Sequence, residues 1–421
     1  MASPAQDLSR WWSRFNDPAL SRIIADAFKN SPSMASASAR IKESQARRGG
    51  AVAALFPSLS GSTAANSNTS KTQGSAWSAD TFYAAGLRAS WEVDLFGKNR
   101  SAVENAAAQV GATEENFCSV QASLASEIAI AYTNLRVDEA ALEVLRRTVK
   151  TREETSKLAS WRARAGEADA LEANQALSSL EQARAGIPAL EQSIAQTHNL
   201  LALLAGQTPG SLDGILSSGK KTIPNPANSL SIGIPADTLR QRPDVRVAGY
   251  QMLAAAASTR SAAAERFPSL NLTGTLGVTA PTVGKLFNPE TASAGIIAGL
   301  SGPIFDAGRI RSNIKALNAV EEQTFQTYRG TILTALSEVE DSLIACRSTT
   351  ERLAILEKAT AAAREAAELA QQRYQAGVTD ISTVLDAQRS LLGLEGSLFN
   401  VRANRTIAYI QLYKALGGGW S

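Results

Sequence analysis

The chain has 421 residues, 44% of them apolar and 19% charged, with a formal net charge of +3. This is the composition of a folded chain, and so small and evenly spread a charge excludes the clustered basic face of a nucleic-acid binder. No run of about 18 apolar residues occurs, which excludes a transmembrane helix but leaves a β-barrel open, because barrel strands alternate.

The first residues, Met1-Ala2-Ser3-Pro4, carry no basic segment, apolar core or cleavage site. They read as a cytoplasmic start or as a mature start whose signal has been removed. Next, Asn16-Asp17-Pro18 is a helix N-cap with proline at the first helical position. A helix rich in Ala, Arg and Gln then runs from Met34 to Leu55, weakened at Gly49-Gly50 and broken by Phe56-Pro57.

The period then changes. Tyr83, Ala85, Leu87, Ala89, Trp91, Val93 and Leu95 alternate with Arg88, Ser90, Glu92 and Asp94, the pattern of an amphipathic strand. The preceding strand, from Ser58, is poor in apolar residues. Tyr83 to Leu95 spans ~40 Å at ~3.3 Å per residue. That length crosses a bilayer when tilted, and it also suits a long hairpin in a soluble sandwich.

From Lys98 to Arg164 there is no proline, which predicts a helix of ~100 Å at ~1.5 Å per residue. Leu124, Ile128, Ala131, Leu135, Asp138, Leu142, Leu145 and Val149 step by four and three, a heptad seam with one polar interruption. Gly166 ends this helix, Asp169 can cap a return helix, and Gly186-Ile187-Pro188 is expected to break that return helix.

The whole order then recurs. Phe56-Pro57-Ser58-Leu59 returns as Phe267-Pro268-Ser269-Leu270, at an offset of 211 that also carries Gly97 to Gly308, Gly166 to Gly377 and Gly206 to Gly417. The chain reads as two copies of one unit. The first, 17–206, has a β-hairpin at 57–96, a long helix at 98–164 and a return helix at 169–205. The second, 235–417, has a hairpin at 268–305, a long helix at 309–376 and a return helix at 380–416, with Asp380 as its cap. Phe325, Ile332, Val339, Cys346 and Leu353 repeat the helical seam.

The linker, 207–234, contains Gly214 to Lys220, close to a phosphate-binding loop. Lys221 stands where a magnesium-binding hydroxyl is needed and no strand precedes it, so it is a loop. Cys118 and Cys346 fall at different heights on the two helices, ~25 Å apart at ~1.5 Å per residue, which predicts no disulfide. Cys346 is expected to be a buried thiol.

Four strands cannot close a membrane sheet alone, so the pattern requires an oligomer without choosing its number. Several motifs name a family. They include Trp11-Trp12 with Phe15, Asp17-Pro18 and Leu20, then Gln241-Arg242-Pro243-Asp244-Val245 and Phe267-Pro268-Ser269-Leu270. Further on come Pro303-Ile304-Phe305-Asp306-Ala307-Gly308-Arg309, Val384-Leu385-Asp386-Ala387-Gln388-Arg389-Ser390 and Leu416-Gly417-Gly418-Gly419-Trp420. In these the chain resembles the TolC-like outer-membrane factors over nearly its whole length. It is most similar to the lipoprotein branch serving resistance–nodulation–division pumps, although the lipid-bearing cysteine that opens such chains is not in this sequence.

The resemblance implies an α+β membrane protein. It would be a homotrimer whose twelve-stranded β-barrel, four strands per chain, sits in the outer membrane of a Gram-negative bacterium. A twelve-helix α-barrel would continue it into the periplasm. The function implied is a passive exit duct driven by an inner-membrane pump through a periplasmic adaptor, with outer-membrane lipid around it, no cofactor and no nucleic acid. Leu87, Trp91 and Val93 would face lipid and Arg88, Glu92 and Asp94 the lumen. Ala165, Gly166, Ala376, Gly377 and Val378 would form the tips that meet the adaptor. Asp386 would ring the constriction, with Gln175 as its repeat equivalent and Tyr374 as a latch; a basic residue common in the family is replaced by Thr379.

The alternatives are weaker. His198 is the only histidine, so histidine-based triads and multi-histidine metal sites are ruled out, and no nucleophile–base set marks an enzyme. Heptads alone would also allow a soluble coiled-coil scaffold. Multidrug and metal export both remain open as cargo.

Overall fold

Residues 8–71, 73–74, 77–226 and 240–420 are described by a computed structural model. The N-terminal start at Met1 and the stretches 227–234 and 235–239 of the linker and second repeat lie outside the described residues. A short 3-10 helix, Trp11–Phe15, is followed by α1 (Pro18–Asn30), α2 (Pro32–Ala53), β1 (Ser58–Ser70), β2 (Ser78–Val93) and α3 (Lys98–Arg164). Then come α4 (Ala170–Leu204), α5 (Asp213–Ser218), α6 (Pro243–Ala264), β3 (Ser269–Ala280), β4 (Ala292–Ser301), α7 (Arg309–Gln375) and α8 (Ile381–Ala415). Among the described residues no helix is long and apolar enough to cross a membrane.

The described residues cluster into two units that cut across the repeats, with boundaries after Ser38, Glu115, Val245 and Gly330. One unit contains the sheet. Its four strands lie antiparallel in the order β1-β2-β3-β4, so the strands of the two repeats meet at β2 and β3. Leu87 pairs with Gly61 on one side and Leu276 on the other, and Leu276 pairs with Ala294. Paired residues share a face and successive residues alternate. The register therefore gathers Leu59, Ala85, Leu87, Trp91, Val93, Leu270, Leu272, Leu276, Ile296 and Leu300 on one face. Ser60, Arg88, Glu92, Asn271, Thr273 and Thr275 lie on the other, where Phe82 and Ile297 are the large apolar exceptions.

The duplication is visible in the pairing itself. Ser58 opposes Ser90 with hydroxyls 2.9 Å apart, and Ser269 opposes Ser301 with hydroxyls 3.5 Å apart. In the same unit the mid-helix glycine of α3 has a packing role. A Cβ at Gly111 would lie 2.7 Å from the Tyr250 ring of α6, so the aromatic seats directly on the helix backbone.

The second unit holds the main core, where Trp11 stacks on Tyr413 at 5.8 Å beside Ile23, Ile128, Leu135 and Leu201. Asp17 caps α1 by accepting the Ala19 N–H at 2.9 Å and also accepts the Tyr132 hydroxyl at 2.7 Å. Arg136, fully buried, donates to the Tyr132 hydroxyl at 3.0 Å and to the Leu216 carbonyl at 3.1 Å. The tryptophan-rich N-terminal motif is thus a core plug. The α3 seam is buried at Leu124, Ile128, Ala131, Leu135, Leu142 and Leu145. Its polar interruption, Asp138, accepts a hydrogen bond from Ser193 at 2.7 Å. In α7 only Val339 and Cys346 of the corresponding row are buried, and Phe325 stays exposed. Burial pushes the Cys346 thiol up to about 11, which keeps it protonated.

Two expectations need correction. α4 is continuous through Gly186-Ile187-Pro188. Pro188 sits on the exposed side, where the carbonyl it deprives of a partner can be hydrated. A Cβ at Gly186 would lie 3.0 Å from Leu145, so that glycine serves close packing against α3. Asp169 caps α4 through the Leu171 N–H, but the Asp380 side chain makes no such bond to α8.

Arg242 ties the head of α6 to the middle of α7 and the end of α8. It donates to Asp244 at 2.7 Å, to Glu338 at 2.6 Å and to the Ala415 carbonyl at 2.9 Å. Burial pushes the Asp244 carboxyl up, but the bonded guanidinium outweighs it and holds the group below its ordinary value. A depressed carboxylate contributes stability above its unfolded pKa and loses it as pH falls through the folded value. Arg242→Met should therefore cost about 2 kcal/mol at neutral pH, less than breaking a fully buried pair because both carboxylates keep solvent contact. Thermal melts of wild type and variant should converge as the pH drops below the ordinary 3.8 of Asp244.

Candidate functional site

The helical hairpins turn at two places with one geometry. After α3, Gly166 takes φ +76°, the Glu167 N–H reaches the Arg162 carbonyl at 2.9 Å and the Gly166 N–H reaches Ala163 at 3.2 Å. After α7, Gly377 takes φ +71°, Val378 reaches Arg373 at 2.9 Å and Gly377 reaches Tyr374 at 3.0 Å. Both are Schellman caps, which need a residue free to adopt positive φ. Ala165, Gly166, Ala376, Gly377 and Val378 are all exposed. The two tips differ in side chains. The first is flanked by Trp161 and Leu171, both largely exposed, and the second presents Val378.

Behind the turns, Ala159, Ala176, Ala370, Ile381, Val384 and Leu385 pack around Tyr374. Tyr374 lines no open surface: it is fully buried, and its hydroxyl donates to Glu172 at 3.4 Å while Arg162 lies 5.0 Å from its ring centre. Burial, then the Glu172 charge, raises its pKa, so it remains a donor. It thus joins the end of α7 to the end of α3 and the start of α4. A second tie lies one turn deeper, where the Thr155 hydroxyl donates to Gln371 at 3.3 Å and Gln388 donates to the same oxygen at 3.4 Å.

Asp386 and Gln175 are exposed on their helices, and Asp386 is ion-paired with Arg389 at 2.7 Å. Arg152 is buried, donates to the Ser179 carbonyl at 2.8 Å, and is pushed down in pKa by burial and by the nearby Arg389. Sequence reading missed this group. Arg152 continues the four-and-three stepping of the α3 seam past Val149, a cue for burial. Glu172 follows Asp169 at capping-box spacing, which hides its contact with Tyr374.

On the sheet, Arg88 is exposed and Glu92 is paired with Lys98 at 3.2 Å. Asp94, expected as the last polar strand position, lies one residue beyond β2 and accepts the Arg100 backbone N–H at 2.8 Å. It is a cap for α3, because the strand ends where the helix needs its first donors satisfied. On the opposite face, the Trp91 indole donates to the Leu55 carbonyl at 2.9 Å.

An amphipathic four-stranded sheet with both edges open, continued by paired helices of 67 and 35 residues in each repeat, is the architecture of an outer-membrane channel subunit. The chain belongs to the outer membrane efflux protein family, whose model matches residues 23–207 and again 234–418. The two matches repeat the offset found in the sequence. The solvent efflux pump outer membrane protein SrpC of Pseudomonas putida is 34% identical over 97% of this chain and 87% of its own length. The pyoverdine export outer membrane protein OpmQ of Pseudomonas aeruginosa is 32% identical over 99% of this chain and 89% of its own. The outer-membrane channel OprN superposes with a TM-score of 0.93 at 28% identity, covering 99% of this chain and 94% of that one. The family is one of efflux ducts in the outer membrane and not of enzymes.

Replacing Tyr374 separates its two contributions. Tyr374→Ala should cost ~3–5 kcal/mol through the cavity it leaves, and Tyr374→Phe about 1 kcal/mol through the lost hydrogen bond. Denaturant midpoints of the two variants measure both.

Proposed function

We propose that three copies of this chain close into a trimeric exit duct, with a twelve-stranded barrel in the outer membrane and a twelve-helix barrel in the periplasm. An inner-membrane pump drives it through a periplasmic adaptor. The observation that carries this reading is the sheet, which has one apolar face, one polar face and two unpaired edges. A membrane sheet with open edges leaves backbone groups unsatisfied in hydrocarbon, and closure removes them. Three chains of four strands make a barrel wide enough for a water-filled lumen. The relatives named for solvent and pyoverdine export support efflux as the class of activity.

In this duct the apolar face, with Leu87, Trp91 and Val93, meets lipid, and Arg88 and Glu92 face the lumen. The exposed turns at Ala165-Gly166 and Ala376-Gly377-Val378 meet the adaptor. Near them Asp386 forms a ring of three carboxylates that repel one another and attract cations. Gln175 places neutral amides at the equivalent position of the first repeat. Tyr374, bonded to Glu172, holds the second hairpin against the first and favours the narrow state.

Leu87→Arg should weaken assembly by ~2–4 kcal/mol if the residue lies at mid-membrane, and Arg88→Leu by clearly less. Yields of heat-resistant oligomer compare the two, and the reverse order would refute the assignment of faces. Asp386→Ala should weaken both divalent-cation block and cation selectivity in planar bilayers with no loss of oligomer. Unchanged block would remove Asp386 from the constriction.

A further inference from the structure

We infer the residue-by-residue register of the strand pairing between neighbouring copies: β4 of one copy pairs with β1 of the next so that Ala298 lies opposite Ala65. The inference rests on the closure proposed above and specifies its seam.

The internal duplication supplies the argument. Within each repeat the hairpin register is the same, since Ser58 opposes Ser90 and Ser269 opposes Ser301, each pair displaced by the offset of 211. The chain also contains one junction between repeats, β2 against β3, where Leu87 opposes Leu276 and Ala89 opposes Gly274. The strands there are staggered. Leu59 is level with Ala89 and so with Gly274, four residues past its own repeat equivalent, Leu270. If copies follow one another as repeats do, the junction between copies is the same junction carried forward by one repeat. β4 takes the place of β2, and β1 of the next copy takes the place of β3. Leu87 opposite Leu276 then becomes Ala298 opposite Ala65, and Ala89 opposite Gly274 becomes Leu300 opposite Thr63. The whole overlap joins 293–301 to 62–70.

The faces of the sheet agree with this register. The apolar face uses odd residues in β1, such as Leu59, and even residues in β4, such as Ile296 and Leu300. The inferred register pairs odd with even throughout, so the apolar face continues across the seam. A slip of one residue would turn the apolar residues of the next copy to the polar side. The overlap also fills the available edge. β4 covers Ala292–Ser301 and β1 covers Ser58–Ser70, so nearly every backbone group of the shorter strand finds a partner.

Cysteine pairs test the register in the full-length protein in detergent. Ala298→Cys with Ala65→Cys, and Ile297→Cys with Asn66→Cys, cover both the hydrogen-bonded and the non-hydrogen-bonded pair types. Mild oxidation should link copies in at least one of these variants. The same-face pairs slipped by two residues, Ala298→Cys with Thr63→Cys or with Ser67→Cys, should give roughly tenfold less product, because disulfide geometry tolerates little displacement. Single-cysteine variants measure background from Cys118 and Cys346. Most product at position 63 or 67, or an intact trimer with no product from any pair, would overturn the register and leave closure standing. No product together with a single-chain mass by light scattering would overturn closure itself, and the inference with it.

Discussion

The pairing register of the sheet is the constraint on which the rest depends. Side chains alternate faces with a period of two, so one slipped residue would exchange Leu87, Leu276 and Ile296 for Arg88, Thr275 and Gly295. Both hairpins carry the same register, and the β2–β3 junction keeps the faces matched between repeats. Each strand leads directly into a helix or comes directly from one. A shift in the sheet would therefore displace helix starts such as the one that Asp94 caps through Arg100.

Away from the sheet, polar groups fix the helix ends. Arg242 holds the end of α8 through the Ala415 carbonyl, and Arg136 holds the linker helix through the Leu216 carbonyl. At the far turns, Tyr374, Glu172, Thr155 and Gln371 are few, neutral or singly charged, and joined by bonds of 3.3 to 3.4 Å. Bonds that long are weak, whereas the ties of Arg136 and Arg242 are short or charge-assisted. The two hairpins are therefore joined less tightly behind their turns than the helix ends are by Arg136 and Arg242.

Much of this was legible in the sequence because the signals were periodic or duplicated. The alternation from Tyr83 to Val93, the α3 seam and the paired glycines each repeat a rule several times, so noise in one position does not hide them. What stayed hidden depended on single contacts. Pro188 suggested a break, yet an exposed proline in a packed helix loses only one internal bond. Asp94 looked like a strand residue because the alternation runs on past the last paired position. Tyr374 was expected as a latch, but its burial among Ala159, Ala370 and Val384 is a tertiary fact with no local pattern. The aspartates of the two turns look identical in sequence, but only Asp169 reaches a backbone donor.

The composition of β1 has a consequence for the life of the chain before it assembles. This edge strand is built from Ser, Thr, Asn, Ala and Gly, with Leu59 its only large apolar side chain, and every residue in it is exposed. A long edge rich in Val or Ile would template cross-β association with any passing strand. β1 offers backbone hydrogen bonds but almost no side-chain adhesion. β1 is therefore a poor template for cross-β association, and of the two edge strands it is β4, with Ile296, Ile297 and Leu300 exposed, that carries the side-chain adhesion.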